Sequence, residues 1–135
     1  MKKATLLCAI WMTGAAATIV LPVSAAPHTP KVGSSERTSI MNALHPVLGS
    51  GRHKPLVIAR RVKVDRGWVF VEGDFKYADG APLEEDYTEG SGTNFSALLH
   101  REGGKWKVKR RLYHGDVVIP EFMHDFPKAP RSIFQ

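Results

Sequence analysis

The sequence predicts an α+β domain in which one helix packs on a four-stranded antiparallel sheet. Apolar residues recur at helical spacing over residues 35–48, and at every second position in several segments after residue 55. Two short glycine-containing turns, at residues 65–67 and 102–104, each join two strand-like segments, as in β-hairpins. A chain of 135 residues accommodates one such domain and is too short for a multidomain enzyme, a repeat solenoid or a polytopic membrane protein.

Residues 1–25 are typical of a secretory signal peptide. Lys2 and Lys3 give a positive start, a long apolar run follows, and the segment ends in the small residues that signal peptidase requires. We therefore expect cleavage after Ala25. The alternatives are a retained membrane anchor, which Pro22 and the small-residue exit disfavour, and a lipoprotein at Cys8, which lies too early in the apolar run.

Cleavage at this site would change the charge and the cysteine content of the chain. The net charge falls from +6 to +4, because two lysines leave and no acidic residue does. The only cysteine, Cys8, also leaves, which excludes disulfides, a thiol nucleophile and a cysteine-based zinc site from the mature chain. The expected localisation is the periplasm, with secretion as the alternative. No membrane span is expected after cleavage.

The mature chain is expected to begin with a leader and a helix. Residues 26–33 contain two prolines and a glycine, which predicts a flexible, extended leader without a contribution to the core. A helix is predicted over residues 35–48, with Ser34 or the next serine as its N-cap. Pro46 predicts a bend, because it lacks a backbone donor. The apolar face of this helix comprises Ile40, Ala43, Leu44, Val47 and Leu48.

Alternating apolar and polar residues predict four strands, at residues 55–64, 68–77, 93–101 and 105–113. Gly73 lies inside the second strand and predicts a bulge or a bend there. In the first strand, Arg61 and Lys63 are expected on one face, and Val62 and Val64 on the other. In the fourth strand, alternation predicts two faces. One face carries Trp106, Val108, Arg110 and Leu112, and the opposite face carries Lys105, Lys107, Lys109 and Arg111.

A long connection and a C-terminal tail complete the predicted domain, which spans residues 34–135. Residues 78–92 form a polar loop with four acidic residues at positions 84–89, and a loop of this length in a small domain is functional or mobile. In the tail, Pro120 predicts a short helix on which Phe122 and Phe126 share one face. With the first helix covering one face of the sheet, the expected architecture has two layers.

This order of elements has two architectural readings. A helix followed by a four-stranded meander is similar to the cystatin-like and nuclear-transport-factor-like rolls. A small, partly open SH3-like β-barrel, with the helix as an accessory, is the alternative.

Several sequence segments recur in a group of small proteins. They are RTSIMNALHPVL in the first helix, GWVFVEG in the second strand, ALLHREGGKWKV across the last hairpin, a GDV triplet and a closing AP-R-x-I/L-F. Through these features the stretch from Arg37 to Phe134 resembles small exported proteins of Gram-negative bacteria that have no established activity. The resemblance implies export and an accessory role, such as tolerance of envelope stress or survival in a host. The motifs are turns, aromatics and core positions, and they imply no catalytic residue.

A basic strip is the strongest candidate binding surface in the sequence. If the first and fourth strands pair, six cations line one face of the sheet: Arg61, Lys63, Lys105, Lys107, Lys109 and Arg111. Such a surface attracts anionic envelope components, such as lipopolysaccharide phosphates and acidic glycans, or an acidic envelope protein. The alternative is an ordinary solvated sheet face, since strands covered on one side alternate apolar and polar residues. The acidic residues at 84–89 could also fold over the strip and neutralise its charge. Nucleic acid is not expected as a partner of an exported chain with this modest charge.

No constellation of residues predicts catalysis, a metal site or a cofactor. The spacing of the candidate ligands His100, His114, Asp116, His124 and Asp125 matches no metal-binding pattern. Ser96 precedes His100 by four residues but lacks the glycines of a nucleophile elbow.

We therefore expect a non-enzymatic periplasmic binding module that uses its sheet face and its long loop. The competing hypothesis is an inhibitor or immunity-type protein whose loop 78–92 blocks the active site of a partner enzyme. The sequence leaves the oligomeric state open.

Overall fold

A computed structural model of the chain describes residues 26–83, 94–113 and 119–135. The predicted signal peptide at residues 1–25 lies outside the described residues. The same holds for the acidic part of the predicted loop, and for His114 and Asp116.

The predicted α+β class is confirmed. The elements, in chain order, are α1 (Ser35–Leu44), a 3-10 helix (His45–Val47), β1 (Pro55–Asp65), β2 (Trp68–Tyr77), β3 (Asn94–Glu102), β4 (Lys105–Tyr113), α2 (Ile119–Asp125) and a second 3-10 helix (Arg131–Phe134). The four strands form one antiparallel sheet in the order β1-β2-β3-β4. The sheet is open, since β1 and β4 lie at its two edges and do not pair, so the barrel alternative is wrong.

Helix α1 begins and ends where local chemistry dictates. The Ser34 hydroxyl accepts a hydrogen bond from the backbone N–H of Arg37 at 3.2 Å, which satisfies one of the free donors of the first turn. The α-helix ends at Leu44, and Pro46 lies in the 3-10 helix that follows. The predicted bend at Pro46 is therefore this change of helix type.

The first hydrophobic core lies between α1 and one face of the sheet. Every strand except β4 contributes fully buried residues to it, and half-buried residues of β4 pack against them. Its buried members are Ile40, Leu44, Leu48, Val62, Val64, Val69, Val71, Phe75, Tyr77, Phe95, Ala97 and Leu99.

A second core lies on the opposite face of the sheet, so the expected two-layer arrangement is incomplete. The C-terminal tail covers part of that face with α2 and the second 3-10 helix. Its buried members are Phe70, Leu98, Phe122, Ala129, Ile133 and Phe134. The Phe70 ring lies 5.3 Å from the Phe122 ring and 5.0 Å from the Phe134 ring, both in edge-to-face geometry. The tail therefore forms a third layer.

The leader at residues 26–33 contacts the domain and ends in a turn, in which the Ser34 N–H donates to the Lys31 carbonyl. Its residue His28 forms an antiparallel bridge with Val64, in which each backbone N–H donates to the other's carbonyl, at 2.9 and 2.8 Å. Pro30 is buried, and its carbonyl accepts from the Arg37 guanidinium at 3.3 Å. The predicted leader without a contribution to the core is thus attached to β1 and α1 through these two residues, although neither belongs to the two hydrophobic cores.

Two irregularities interrupt the register of the sheet. One lies in β1 between Ala59 and Arg61 and faces Gly73, so the bulge or bend that the sequence predicted within the second strand is found on the neighbouring strand. The other lies in the β3–β4 pair: Leu98 pairs with Arg110 and Leu99 pairs with Val108, so Lys109 is an extra residue on β4.

Within the described ranges, no helix is long and apolar enough to cross a membrane.

Candidate functional site

The six predicted basic residues do not form one surface. Arg61 and Lys63 lie on β1, the other four lie on β4, and β2 and β3 separate these strands. Three strand spacings place the two edges about 14 Å apart. The aromatic second core and the C-terminal tail occupy the face between them. The condition on which the continuous strip depended, pairing of the first and fourth strands, is not met.

Arg61 is occupied by contacts inside the domain. Its guanidinium lies 3.2 Å from the Glu72 carboxylate, donates to the Ile133 carbonyl at 3.4 Å, and sits 5.8 Å from the centre of the Phe70 ring. These contacts fasten the C-terminal tail to β1. Lys63 lies on the same face but at the far edge from β4. Neither residue can act together with the β4 cations on a small ligand.

Arg111 lies on the opposite face from the β4 lysines, so the predicted side for this residue is wrong. The extra residue Lys109 reverses the alternation, because it lies unpaired between Val108 and Arg110, which pair with the consecutive β3 residues Leu99 and Leu98. Arg111 consequently faces the first core, where it donates to the Val47 carbonyl and, at 2.8 Å, to the Tyr113 hydroxyl. Its guanidinium lies 4.4 Å from the centre of the Tyr113 ring. Arg111 therefore holds the end of the first 3-10 helix against β4.

Three lysines remain as a surface group, and we call Lys105, Lys107 and Lys109 the lysine cluster. The Glu102 carboxylate is 2.9 Å from Lys109 Nζ and 3.6 Å from Lys107 Nζ, and Lys105 is the register partner of Glu102 on β4. His100 Nδ1 is 3.2 Å from the same carboxylate. The hydrogen bonds from Lys109 and His100 lower the pKa of Glu102 from 4.5 to about 2. The Glu102 carboxylate is therefore ionised at neutral pH and contacts two of the three ammonium groups, so the cluster keeps an excess of positive charge.

Several contacts hold the surroundings of the lysine cluster together. The Trp68 ring stacks on the His100 ring with a centroid distance of 4.2 Å. The Arg101 N–H donates to the Gly67 carbonyl at 2.8 Å, which ties the end of β3 to the turn between β1 and β2. Arg110 is also fixed, since it pairs with Glu121 at 3.4 Å and with Asp125. The cluster therefore projects from a hairpin that neighbouring elements hold in place.

A groove runs beside the outer edge of β4 and has no counterpart among the sequence predictions. It measures about 410 Å³, is open to solvent, and lies between the first 3-10 helix and the strand. Its lining combines Pro46, Val47, Gly49 and Val108 with the segment Lys109–Arg111. The sequence carries no indication of it, because the groove depends on the approach of two segments that are about sixty positions apart.

Those candidate residues for catalysis and metal binding that the structure describes do not come together. Ser96 is fully buried in β3, which denies it access to a substrate. His100 is stacked on Trp68, and His124 pairs with its neighbour Asp125 at 3.0 Å. In the part of the chain that the structure describes, no group of three or more metal-ligating side chains occurs.

No protein-family model, curated protein or solved structure matches the chain. The predicted resemblance to small exported proteins of Gram-negative bacteria therefore stays a prediction, and the function must be argued from the residues of this chain.

Proposed function

We propose that this protein is an exported, non-enzymatic accessory protein that binds an anionic partner through the lysine cluster on the β3–β4 hairpin. The observation that carries the proposal is that three exposed lysines lie on the edge strand β4, and the Glu102 carboxylate on β3 contacts two of them, Lys107 and Lys109. The location that we propose is the periplasm, and the role that we propose is tolerance of envelope stress or survival in a host.

The exposure and charge of the cluster support this function. The Lys107 side chain is 59% exposed, whereas the side chains of Lys109 and Glu102 are about one-third exposed. A solvent-accessible excess of positive charge attracts phosphate and carboxylate groups, and salt weakens the attraction by screening it. Lipopolysaccharide phosphates and the acidic groups of envelope glycans or proteins have this chemistry.

A charge-removal variant with a matched control tests the proposal. Lys105→Gln combined with Lys107→Gln removes two charges from the cluster and leaves the hydrogen bond between Lys109 and Glu102 in place. Lys54→Gln combined with Lys76→Gln removes the same charge from exposed positions at the opposite end of the β1–β2 pair. Binding to vesicles containing lipopolysaccharide is measured by co-sedimentation at low and high salt.

The expected result is a loss of affinity in the cluster variant only. A lysine near an anionic surface contributes about 1 kcal/mol, so removal of two should weaken binding about thirtyfold. The control variant should change affinity by less than about threefold, because its lysines lie away from the hairpin. Equal weakening in both variants would show that net charge alone attracts the vesicles, and absence of binding by the unaltered protein to every anionic vesicle would refute the proposal.

A further inference from the structure

We propose that an extended acidic segment of a partner protein adds as a strand to the outer edge of β4, pairs with residues 105–108, and continues into the groove beside Pro46 and Val47. This inference rests on the proposed function and assigns its anionic partner to one class, a protein segment. Three features of the hairpin support it.

The first feature is the unpaired edge of β4. Every second residue of an edge strand directs its N–H and C=O groups away from the sheet, where they can pair with another chain. The opposite edge, formed by β1, is partly occupied, because the leader bridges to it through His28 and Val64. Of the residues that the structure describes, only those of β3 pair with β4. The two edges of the sheet therefore differ, and β4 offers the freer one.

The second feature is the groove that follows this edge. The lining is mostly polar, and its apolar part, Pro46, Val47 and Val108, suits the side chains on one side of an extended peptide, which alternate between two sides. Lys109 borders the same groove and can receive a carboxylate. Arg111 is already engaged with Val47 and Tyr113, so it shapes the groove and does not need a partner there. Main-chain pairing would supply affinity, and the groove would select the side chains.

The third feature is charge, which decides the occupant. If a second copy of this chain paired through β4, lysines of the two strands would lie opposite or diagonal to one another, and like charges in these positions destabilise a sheet. Lysines on an edge strand disfavour such self-association. An acidic strand would instead place carboxylates against Lys105 and Lys107, which gives favourable cross-strand pairs. The charge of the β4 edge therefore disfavours pairing with a second copy of this chain and favours pairing with an acidic segment.

Two synthetic peptides test strand addition without altering the protein. The first is a fluorescent peptide of alternating glutamate and valine. The second has the same sequence but carries N-methyl groups on alternate backbone amides, which removes donors along one edge and keeps the charge. Binding to the protein, purified after expression of the full chain in a Gram-negative host, is followed by fluorescence anisotropy. Exchange of the β4 amides is followed by NMR.

The expected result is binding of the first peptide, at least about tenfold weaker binding of the methylated peptide, and slower exchange of outward-facing amides in residues 105–108. Equal binding of both peptides, or binding of anionic vesicles without binding of either peptide, would overturn strand addition and leave the proposed anion binding intact. Failure of both peptides and of the vesicles would overturn both proposals. A protein dimer that protects the β4 amides without peptide would also overturn the inference, since a second copy would then occupy the edge.

Discussion

At the scale of single residues, Arg111 and Lys107 illustrate how one inserted residue separates two similar side chains. Both are basic and lie on β4, but Arg111 reaches the Val47 carbonyl and the Tyr113 hydroxyl, whereas Lys107 is exposed beside Glu102. Arg111→Gln should lower the free energy of unfolding by about 1–3 kcal/mol, because hydrogen bonds from a charged donor are lost. It should leave vesicle binding nearly unchanged. Urea unfolding and co-sedimentation measure the two effects.

Lys107→Gln is the matched control for Arg111→Gln, since it removes the same charge from the same strand. We expect it to weaken vesicle binding and to change stability by less than about 0.5 kcal/mol, as is usual for an exposed position. If Arg111→Gln weakened binding as much as Lys107→Gln and left stability unchanged, the assignment of Arg111 to the core-facing side of the strand would be refuted.

At the scale of elements, the sequence predicted the strands well because tight turns delimit them. The first predicted strand, residues 55–64, is observed as Pro55–Asp65, and the second and fourth have the predicted bounds. Arg66 and Gly67 both have positive φ, 47° and 77°, which two-residue hairpin turns require and glycine readily adopts. Local chemistry therefore fixes where these strands end.

The position of the lysine cluster was less predictable than the strands. The fourth strand ends in two arginines followed by a leucine and a tyrosine. Since two polar residues and then two large apolar or aromatic residues are adjacent, the sequence does not show which of them face the core, and the extra residue cannot be detected from the apolar–polar alternation. The second core was missed for a related reason. Its partners in the tail, such as Ile133, meet the sheet only through contacts that are distant in sequence.

Gly73 is the element-scale feature that the sequence did identify. A Cβ atom at this position would lie 2.3 Å from the Ile58 carbonyl oxygen and 3.0 Å from the Ala59 Cα, both backbone atoms of the neighbouring strand. We expect Gly73→Ala to lower the free energy of unfolding by about 1–3 kcal/mol, because β1 must move to admit the methyl group. Lys76→Ala, on the exposed side of the same strand, should cost less than about 0.5 kcal/mol. Equal urea midpoints for the two variants would contradict a close approach of the strands at Gly73.

At the scale of the whole molecule, the leader joins α1 to the sheet through a titratable pair. His28 Nε2 lies 2.8 Å from the Glu36 carboxylate, while the His28 backbone bridges to β1. The hydrogen bond to Glu36 raises the pKa of His28 above its ordinary value of 6.5, with a smaller contribution from Asp65. A raised pKa in the folded state stabilises the fold fully below the unfolded pKa, and this stabilisation is lost as the pH rises through the folded pKa.

The unaltered protein should therefore lose more stability than His28→Gln when the pH is raised from about 5 to about 8. The difference should stay below about 1 kcal/mol, because the pair is partly exposed and solvent screens it. Urea unfolding at several pH values measures the free energy of unfolding of both proteins. The difference between the two proteins cancels the contributions of the other titrating groups. Parallel stability curves would show that His28 does not couple the leader to α1.

The two cores share one sheet, so the C-terminal tail should unfold together with the rest of the domain. Phe122 is fully buried against Phe70, whereas the His124 side chain on the same helix is 88% exposed. Phe122→Ala should lower the free energy of unfolding by about 3–5 kcal/mol, and His124→Ala should change it by less than about 0.5 kcal/mol. Circular dichroism and methyl NMR signals from both cores should follow one transition in each variant. A separate early transition confined to the second core would instead show that the tail unfolds independently. Such unfolding would expose the Phe70 face of the sheet to water, which is unfavourable for an apolar surface.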